Sequence, residues 1–373
     1  MKILLVSMNS IHFRRWSDQL RDNEFDVYWF DVLDQGYAPS MSWLTQITGW
    51  KKGFLKKRGR TFLKSKLPKL FNALVHKYDN HVEDAFAKAL QEIQPDLVHS
   101  FALYTSGLPI IDIMNKHENV KWIYSSWGGS DLFNKANKPN YESEVSQVLH
   151  RVNYLITDCE RDHQIARNMG GFTGTYLGAI PGGGGFDIRE FNTQRGNASF
   201  VVKGYENELG KAIPVIKALF KIAYNYKISI SIFGATQSLL QFIEGQQVSN
   251  LQLELHRDIA HEEVLELMDN SIFYIGNSLS DGMPNTLLEA IYCGCIPIQS
   301  NPGNATSELI SNTINGYLIE EPENVDHIEK LILQALNSSR TIEGFYEANK
   351  SIRDRFVRER VKEEVLQLYK ALI

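Results

Sequence analysis

Cysteine is scarce in this chain: among 373 residues only Cys159, Cys293 and Cys295 occur. An odd number with no Cys-x-x-Cys pair argues against a disulfide framework and against a zinc knuckle, and fits a reducing, cytoplasmic setting. Long apolar runs are missing as well. No stretch reaches the roughly eighteen residues of a spanning helix, so membrane contact is expected to be peripheral at most. Met1-Lys2-Ile3-Leu4-Leu5-Val6 is too short for a signal peptide and reads as a buried first strand. A charge excess is lacking too: 39 Lys and Arg stand against 44 Asp and Glu, a net charge of -5. That balance disfavours a general nucleic-acid binder, which needs a surplus of cations on its binding face. With no Cys or carboxylate cluster at ligand spacing, no metal site and no cofactor are expected.

What the chain does contain is alternation. Its length exceeds what one hydrophobic core usually serves, so two domains are expected. Short strand-like apolar runs separated by helical patterns are the mark of βαβ units and parallel sheets, hence an α/β fold of two Rossmann-like domains. The first series comprises Lys2–Ser7, Phe25–Val32, Asp96–Phe101, Trp122–Trp127, Tyr154–Thr157 and Thr175–Ala179. The second comprises Ser199–Lys203, Ile228–Phe233, Leu251–Leu255, Phe273–Gly276, Ile296–Gln299 and Tyr317–Ile319.

Pro181-Gly182-Gly183-Gly184-Gly185 cannot be regular structure and is read as the hinge. The expected domains are 1–185, 186–355 and a terminal helical segment, 356–373, packing back on the first domain. Phe345, Ile352, Phe356, Val361, Val365 and Leu368 are spaced for one buried side of that final helical stretch.

Ligands of open α/β sheets bind beyond the carboxyl ends of the strands. After the strand Phe273–Gly276 comes Asn277-Ser278-Leu279-Ser280-Asp281-Gly282-Met283-Pro284-Asn285-Thr286-Leu287-Leu288-Glu289-Ala290. Pro284 suits the first helical position, and Gly282 admits a ligand close to the backbone. The free N–H groups at that helix start suit a pyrophosphate. Glu289, about 7.5 Å further along the axis, suits the vicinal hydroxyls of a ribose, and Asp281 ahead of the helix suits a sugar. Taken alone, the same residues also describe an ordinary helix whose start Asp281 tunes.

Asp281 and Glu289 with Ala290, Gly294, the strand Ile296–Gln299, Asn301-Pro302-Gly303-Asn304, Glu308 and Asn315-Gly316 resemble the signature block of retaining glycosyltransferase family 4. Asp281 stands where that family usually has Glu. The resemblance implies the GT-B architecture and transfer of a hexose from a nucleotide-diphosphate sugar, a UDP-sugar, to a glycan or lipid-linked acceptor. Retention of configuration and a place in polysaccharide or lipopolysaccharide biosynthesis are implied with it. Donor contacts are then expected from Gly282, Met283, Pro284, Asn285 and Glu289. Lys211 and Lys203 resemble the cations on the leaving diphosphate, against the plain alternative of two surface lysines. The loop with Arg257 and Ile259 lies where related enzymes hold the base. Asp131, in Gly-Ser-Asp, resembles an aspartate near the reacting sugar, or it caps a helix. His12, His99 and the Ser125–Asp131 turn are expected to face the cleft as strand-end groups. Asp281, Lys211, Asp131 and His12 are the catalytic candidates. The missing Asp-x-Asp triplet argues against a metal-dependent single-domain transferase.

Between Gln35 and Tyr78 no acidic residue occurs, while Lys56, Lys57 and Arg58 are interleaved with Trp50 and Phe62. Such a segment fits an anionic membrane surface or a solvated loop. Two rival functions remain open from sequence: a nucleotide-sugar 2-epimerase and a non-enzymatic sugar-nucleotide binding module.

Overall fold

The computed structural model describes residues 1–51, 66, 80–127, 131–136, 139–196, 198–246 and 250–372. Two all-parallel sheets account for the thirteen strands among the described residues. The first contains β1 (Lys2–Ser7), β2 (Asp26–Asp31), β3 (Thr45–Ile47), β4 (Leu97–Phe101), β5 (Lys121–Ser126), β6 (Tyr154–Thr157) and β7 (Thr175–Ala179) in the order β3-β2-β1-β4-β5-β6-β7. The second contains β8 (Ser199–Lys203), β9 (Ile228–Phe233), β10 (Leu251–His256), β11 (Phe273–Gly276), β12 (Ile296–Ser300) and β13 (Tyr317–Ile319) in the order β10-β9-β8-β11-β12-β13. The expected α/β, two-Rossmann GT-B architecture is the one observed. Ile3, Leu4, Leu5 and Val6 are all fully buried, because helices cover both faces of a parallel sheet and leave no polar alternation along the strand.

Strand order reverses between β1 and β4 in the first sheet and between β8 and β11 in the second, which opens a crevice at each switch point. One apolar cluster joins the two halves: Trp16, Phe101 and Ile180 share it with Val201, Met283 and Leu287. At the crossing between domains the chain runs beside itself. Phe186 N–H donates to Phe356 O and Arg358 N–H to Phe186 O, both at 2.9 Å.

The C-terminal stretch is three helices, Ile342–Ala348, Lys350–Phe356 and Arg358–Ala371. Val357 is extended (φ -61°, ψ 138°), which lets it pair with Phe186 and interrupts the helical pattern. The last helix crosses back to the first domain as expected, burying Val361, Val365 and Tyr369. Tyr369 Oη accepts from Trp16 Nε1 at 3.4 Å and meets His99 Nδ1, while Lys121 Nζ donates to Leu372 O at 2.6 Å. His99 is therefore not a cleft group: it is fully buried beneath this helix, with Nε2 2.7 Å from Ser125 Oγ. Burial holds its pKa well below the usual histidine value.

Candidate active site in the interdomain cleft

The crevice between β8 and β11 leads into a cavity of about 170 Å³ lined by Lys203, Tyr274, Asn277, Ser280, Asp281 and Gln299 among others. Asn277 Nδ2 is held by Lys211 O (2.8 Å) and Pro322 O (2.7 Å), which fixes the amide and leaves its Oδ1 without a hydrogen-bond partner among the described residues. Ser280 Oγ and Gln299 Oε1 are likewise buried and unpaired there. Three such atoms around one cavity are groups that a polar ligand or water can satisfy, since buried polar groups are generally paired. None of the three was singled out by sequence reasoning; the only signal was polarity at the ends of otherwise apolar strands.

Asp281 sits in this cavity, and burial raises its pKa above the usual carboxylate range, against the opposing pull of the Lys203 cation. Its Oδ1 accepts from Gly282 N–H at 3.1 Å. Gly282 has no room for a side chain: an added Cβ would lie 2.3 Å from Asp158 Oδ2 of the first domain. Met283 is buried in the shared apolar cluster.

The helix runs over Asn285–Tyr292, so Pro284 is its N-cap (φ -70°, ψ 116°) rather than its first residue, a shift of one position. Leu287, Leu288, Ala290 and Ile291 are buried along it, and Glu289 is a carboxylate among them, 8 % exposed. Glu289 Oε1 is 2.7 Å from His261 Nε2 and 3.4 Å from Arg15 Nη1, the latter arriving from the first domain. Neither partner was anticipated.

His12 also reaches across: on the helix Ile11–Asp18, its Nδ1 lies 3.2 Å from Asn285 Nδ2. Desolvation first, then the Arg15 cation, lower its pKa, and Glu289 partly offsets them. The other candidates stand apart. Asp131 is bound inside the first domain, where Oδ2 accepts from Leu103 N–H (2.7 Å) and Tyr124 Oη (3.0 Å). Lys211 Nζ turns to Glu323 at 3.1 Å, so that Lys203, not Lys211, lines the cavity with Asp281. Arg257 is exposed beyond β10, and Ile259 packs against the shared cluster.

Asp158, Cys159 and Asp162 bring ligand atoms within 4.8 Å of one another, a cluster that linear spacing did not suggest. Arg161 pairs with Asp162 at 2.8 Å, which supplies the positive charge a cation would otherwise bring. No helix among the described residues is long and apolar enough to cross a membrane. Of the basic segment, Lys56, Lys57, Arg58 and Phe62 lie outside the described residues. Trp50 differs from the expectation of a lipid-facing ring: it stacks on Phe30 at 5.6 Å and donates from Nε1 to Asp31 O at 2.9 Å.

Residues 198–352 match the family model of glycosyl transferases group 1, and no curated protein matches the chain in sequence. The fold is similar over its whole length to Anabaena HepE in complex with UDP-glucose (TM-score 0.70, 13 % identity, 100 % of each chain covered). It is similar in the same way to the lipopolysaccharide outer core galactosyltransferase WaaB (TM-score 0.66, 15 % identity, 100 % of each chain). The pneumococcal O-GlcNAc transferase GtfA, in complex with UDP and GlcNAc, matches 78 % of this chain with a TM-score of 0.62 and 17 % identity. Of that longer protein the chain spans 60 %.

Proposed function

We propose that this chain, whose residues 198–352 form a group 1 glycosyltransferase domain within a GT-B framework, transfers a hexose from a UDP-sugar to a glycan or lipid-linked acceptor with retention of configuration. The observation that carries the reading is the convergence, at the switch point of the second sheet, of Lys203, Asp281 and the start of the helix Asn285–Tyr292. Free amides at a helix start and a nearby cation favour a diphosphate, and they favour it more as the sugar departs and charge develops on it. Asp281 and the unpaired Asn277, Ser280 and Gln299 oxygens suit the hydroxyls of the sugar. Glu289 exchanges Arg15 and His261 for ribose hydroxyls, and the loop at Arg257 and Ile259 takes the base. Lys203 is the principal cation on the leaving diphosphate and Lys211 the second, since Lys211 must first give up Glu323. His12 approaches the same helix start from the first domain. Asp131 acts by shaping the loop at Leu103.

UDP and UDP-glucose bound to similar folds support the choice of donor, and the likeness to a lipopolysaccharide galactosyltransferase supports a role in surface polysaccharide synthesis. Alignment of donor and acceptor by two domains is worth about 7 to 11 kcal/mol of the barrier in such a reaction. A thermal-shift screen over nucleotide diphosphates and their sugars tests the reading: a matched donor raises the melting temperature by mass action. Sugar epimerised with no acceptor present would point to an epimerase, and tight binding without turnover to a binding module. The basic segment brings the enzyme to an anionic leaflet through Lys56, Lys57 and Arg58. Flotation with anionic vesicles that is insensitive to salt, or to neutralising these three, counts against that role.

A further inference from the structure

We propose that Arg161 is a positioning residue that makes the alignment of Asp281 depend on closure of the two domains; this rests on the donor-site reading above. Arg161 opens the first-domain helix Glu160–Gly170, and its side chain is 9 % exposed. Two of its nitrogens stay at home: Nε and Nη2 donate to Asp162 Oδ1 at 3.0 and 2.8 Å. Asp162 is anchored in turn by Ser126 Oγ, 3.0 Å from Oδ2. The third nitrogen crosses the cleft. Nη1 donates to Asp281 O and to Pro302 O, each at 2.8 Å.

These two carbonyls lie just beyond β11 and β12, so the guanidinium ties together the two second-domain loops that frame the sugar end of the cavity. The pairing with Asp162 makes this possible, because a desolvated cation is tolerated only when its charge is matched. The guanidinium carbon lies over the Phe133 ring, 4.2 Å from its centroid. Gly303 leaves space for both groups: a Cβ there would lie 2.3 Å from Phe133 Cε2 and 3.0 Å from Arg161 Cδ.

The second domain returns the contact. Glu308 accepts the backbone N–H groups of Glu160 and Arg161, both at 2.8 Å. It thereby caps a helix whose own N-cap, Cys159, makes no side-chain capping bond. Each domain thus completes a hydrogen-bonding need of the other at the mouth of the site. When the domains part, both sets of bonds break, and Asp281 keeps only its local bond to Gly282 N–H. The loop backbone that carries the carboxylate is pinned from the first domain only in the closed cleft.

Three variants test this: Arg161→Met, Arg161→Lys, which keeps the charge opposite Asp162 but loses the fork, and Glu308→Gln. Each is measured for UDP affinity by calorimetry, for donor turnover, and for size by solution scattering with and without UDP. The expected result is UDP affinity near that of the wild type and turnover lowered about a hundredfold in Arg161→Met, with no compaction on UDP binding. Arg161→Lys and Glu308→Gln fall between it and the wild type. Wild-type turnover and wild-type compaction in Arg161→Lys and Glu308→Gln overturn the proposal, even should Arg161→Met fail to fold. If the wild type binds no nucleotide, the donor-site reading fails by itself. The scattering of the ligand-free proteins then decides the clasp: variants larger than the wild type uphold it, and variants of equal size overturn it.

Discussion

Arg15 of the first domain and Glu289 of the second face each other across the cleft at 3.4 Å, with His261 sharing the same carboxylate oxygen at 2.7 Å. The two residues are 274 positions apart in the chain. Their meeting ties the ribose-binding candidate to the state of the cleft: a donor that claims Glu289 must take it from two cationic or hydrogen-bonding neighbours.

Glu289→Gln is expected to weaken UDP binding by roughly 1 to 3 kcal/mol, because an amide oxygen is a poorer acceptor for ribose hydroxyls than a carboxylate. Isothermal titration calorimetry reads this directly. Affinity equal to that of the wild type would assign Glu289 to bridging Arg15 and His261 alone.

How much of this was legible in the sequence depends on how local the cause was. Twelve strands were readable: those such as β1 are continuous buried apolar runs, and β9 and β10 show through alternation along the strand. β3 was not, since three residues, Thr45–Ile47, at a sheet edge carry no pattern. The breaks in the C-terminal stretch have distant causes: Val357 pairs with Phe186, and the buried Asn349 amide bonds to Asn315. At the site, the segment from Asp281 to Glu289 was readable because its backbone makes its own geometry. Partners supplied by the other domain, such as Arg15 and Arg161, were beyond reach, and so was the choice between Lys203 and Lys211. Lys203 lines the cavity and Lys211 turns to Glu323, a contact that no local motif connects to it. Gly183 and Gly184 read as an unrestrained hinge, yet they are closely packed. A Cβ at Gly183 would lie 2.6 Å from Asn285 Oδ1, and one at Gly184 (φ +71°) would lie 2.9 Å from Arg15 O.

Lys203→Ala is expected to lower turnover about 10²- to 10³-fold while changing UDP affinity far less, as expected for a charge that acts chiefly on the departing diphosphate. Lys211→Ala is expected to have the smaller effect, because Lys211 is engaged with Glu323. Steady-state kinetics of both variants with one donor gives the comparison. A larger loss in Lys211→Ala would reverse the order of the two cations.

His12, an exposed residue that faces Arg15, Lys203 and Glu289, adds a contribution of definite sign to the pH dependence of stability. Its pKa in the folded chain is lowered from 6.5, so the unfolded chain takes up the proton first as pH falls. The destabilisation therefore sets in below the unfolded value and grows until the folded pKa is reached. Between about pH 7.5 and about pH 5.5 the wild type is expected to lose more melting temperature than His12→Gln. The buried His99 contributes the same acid sensitivity to both proteins and cancels in the difference. Equal losses in the two proteins would mean that the imbalance of charge around His12 relaxes on protonation.

The central claim is that a nucleotide-diphosphate donor binds at the carboxyl end of the second sheet. A crystal structure with UDP tests it most directly. The diphosphate is expected at the start of the helix Asn285–Tyr292 beside Lys203, with the ribose hydroxyls on Glu289. A nucleotide bound instead at the strand ends of the first sheet, with Asp281, Lys203 and Glu289 left untouched, would contradict it.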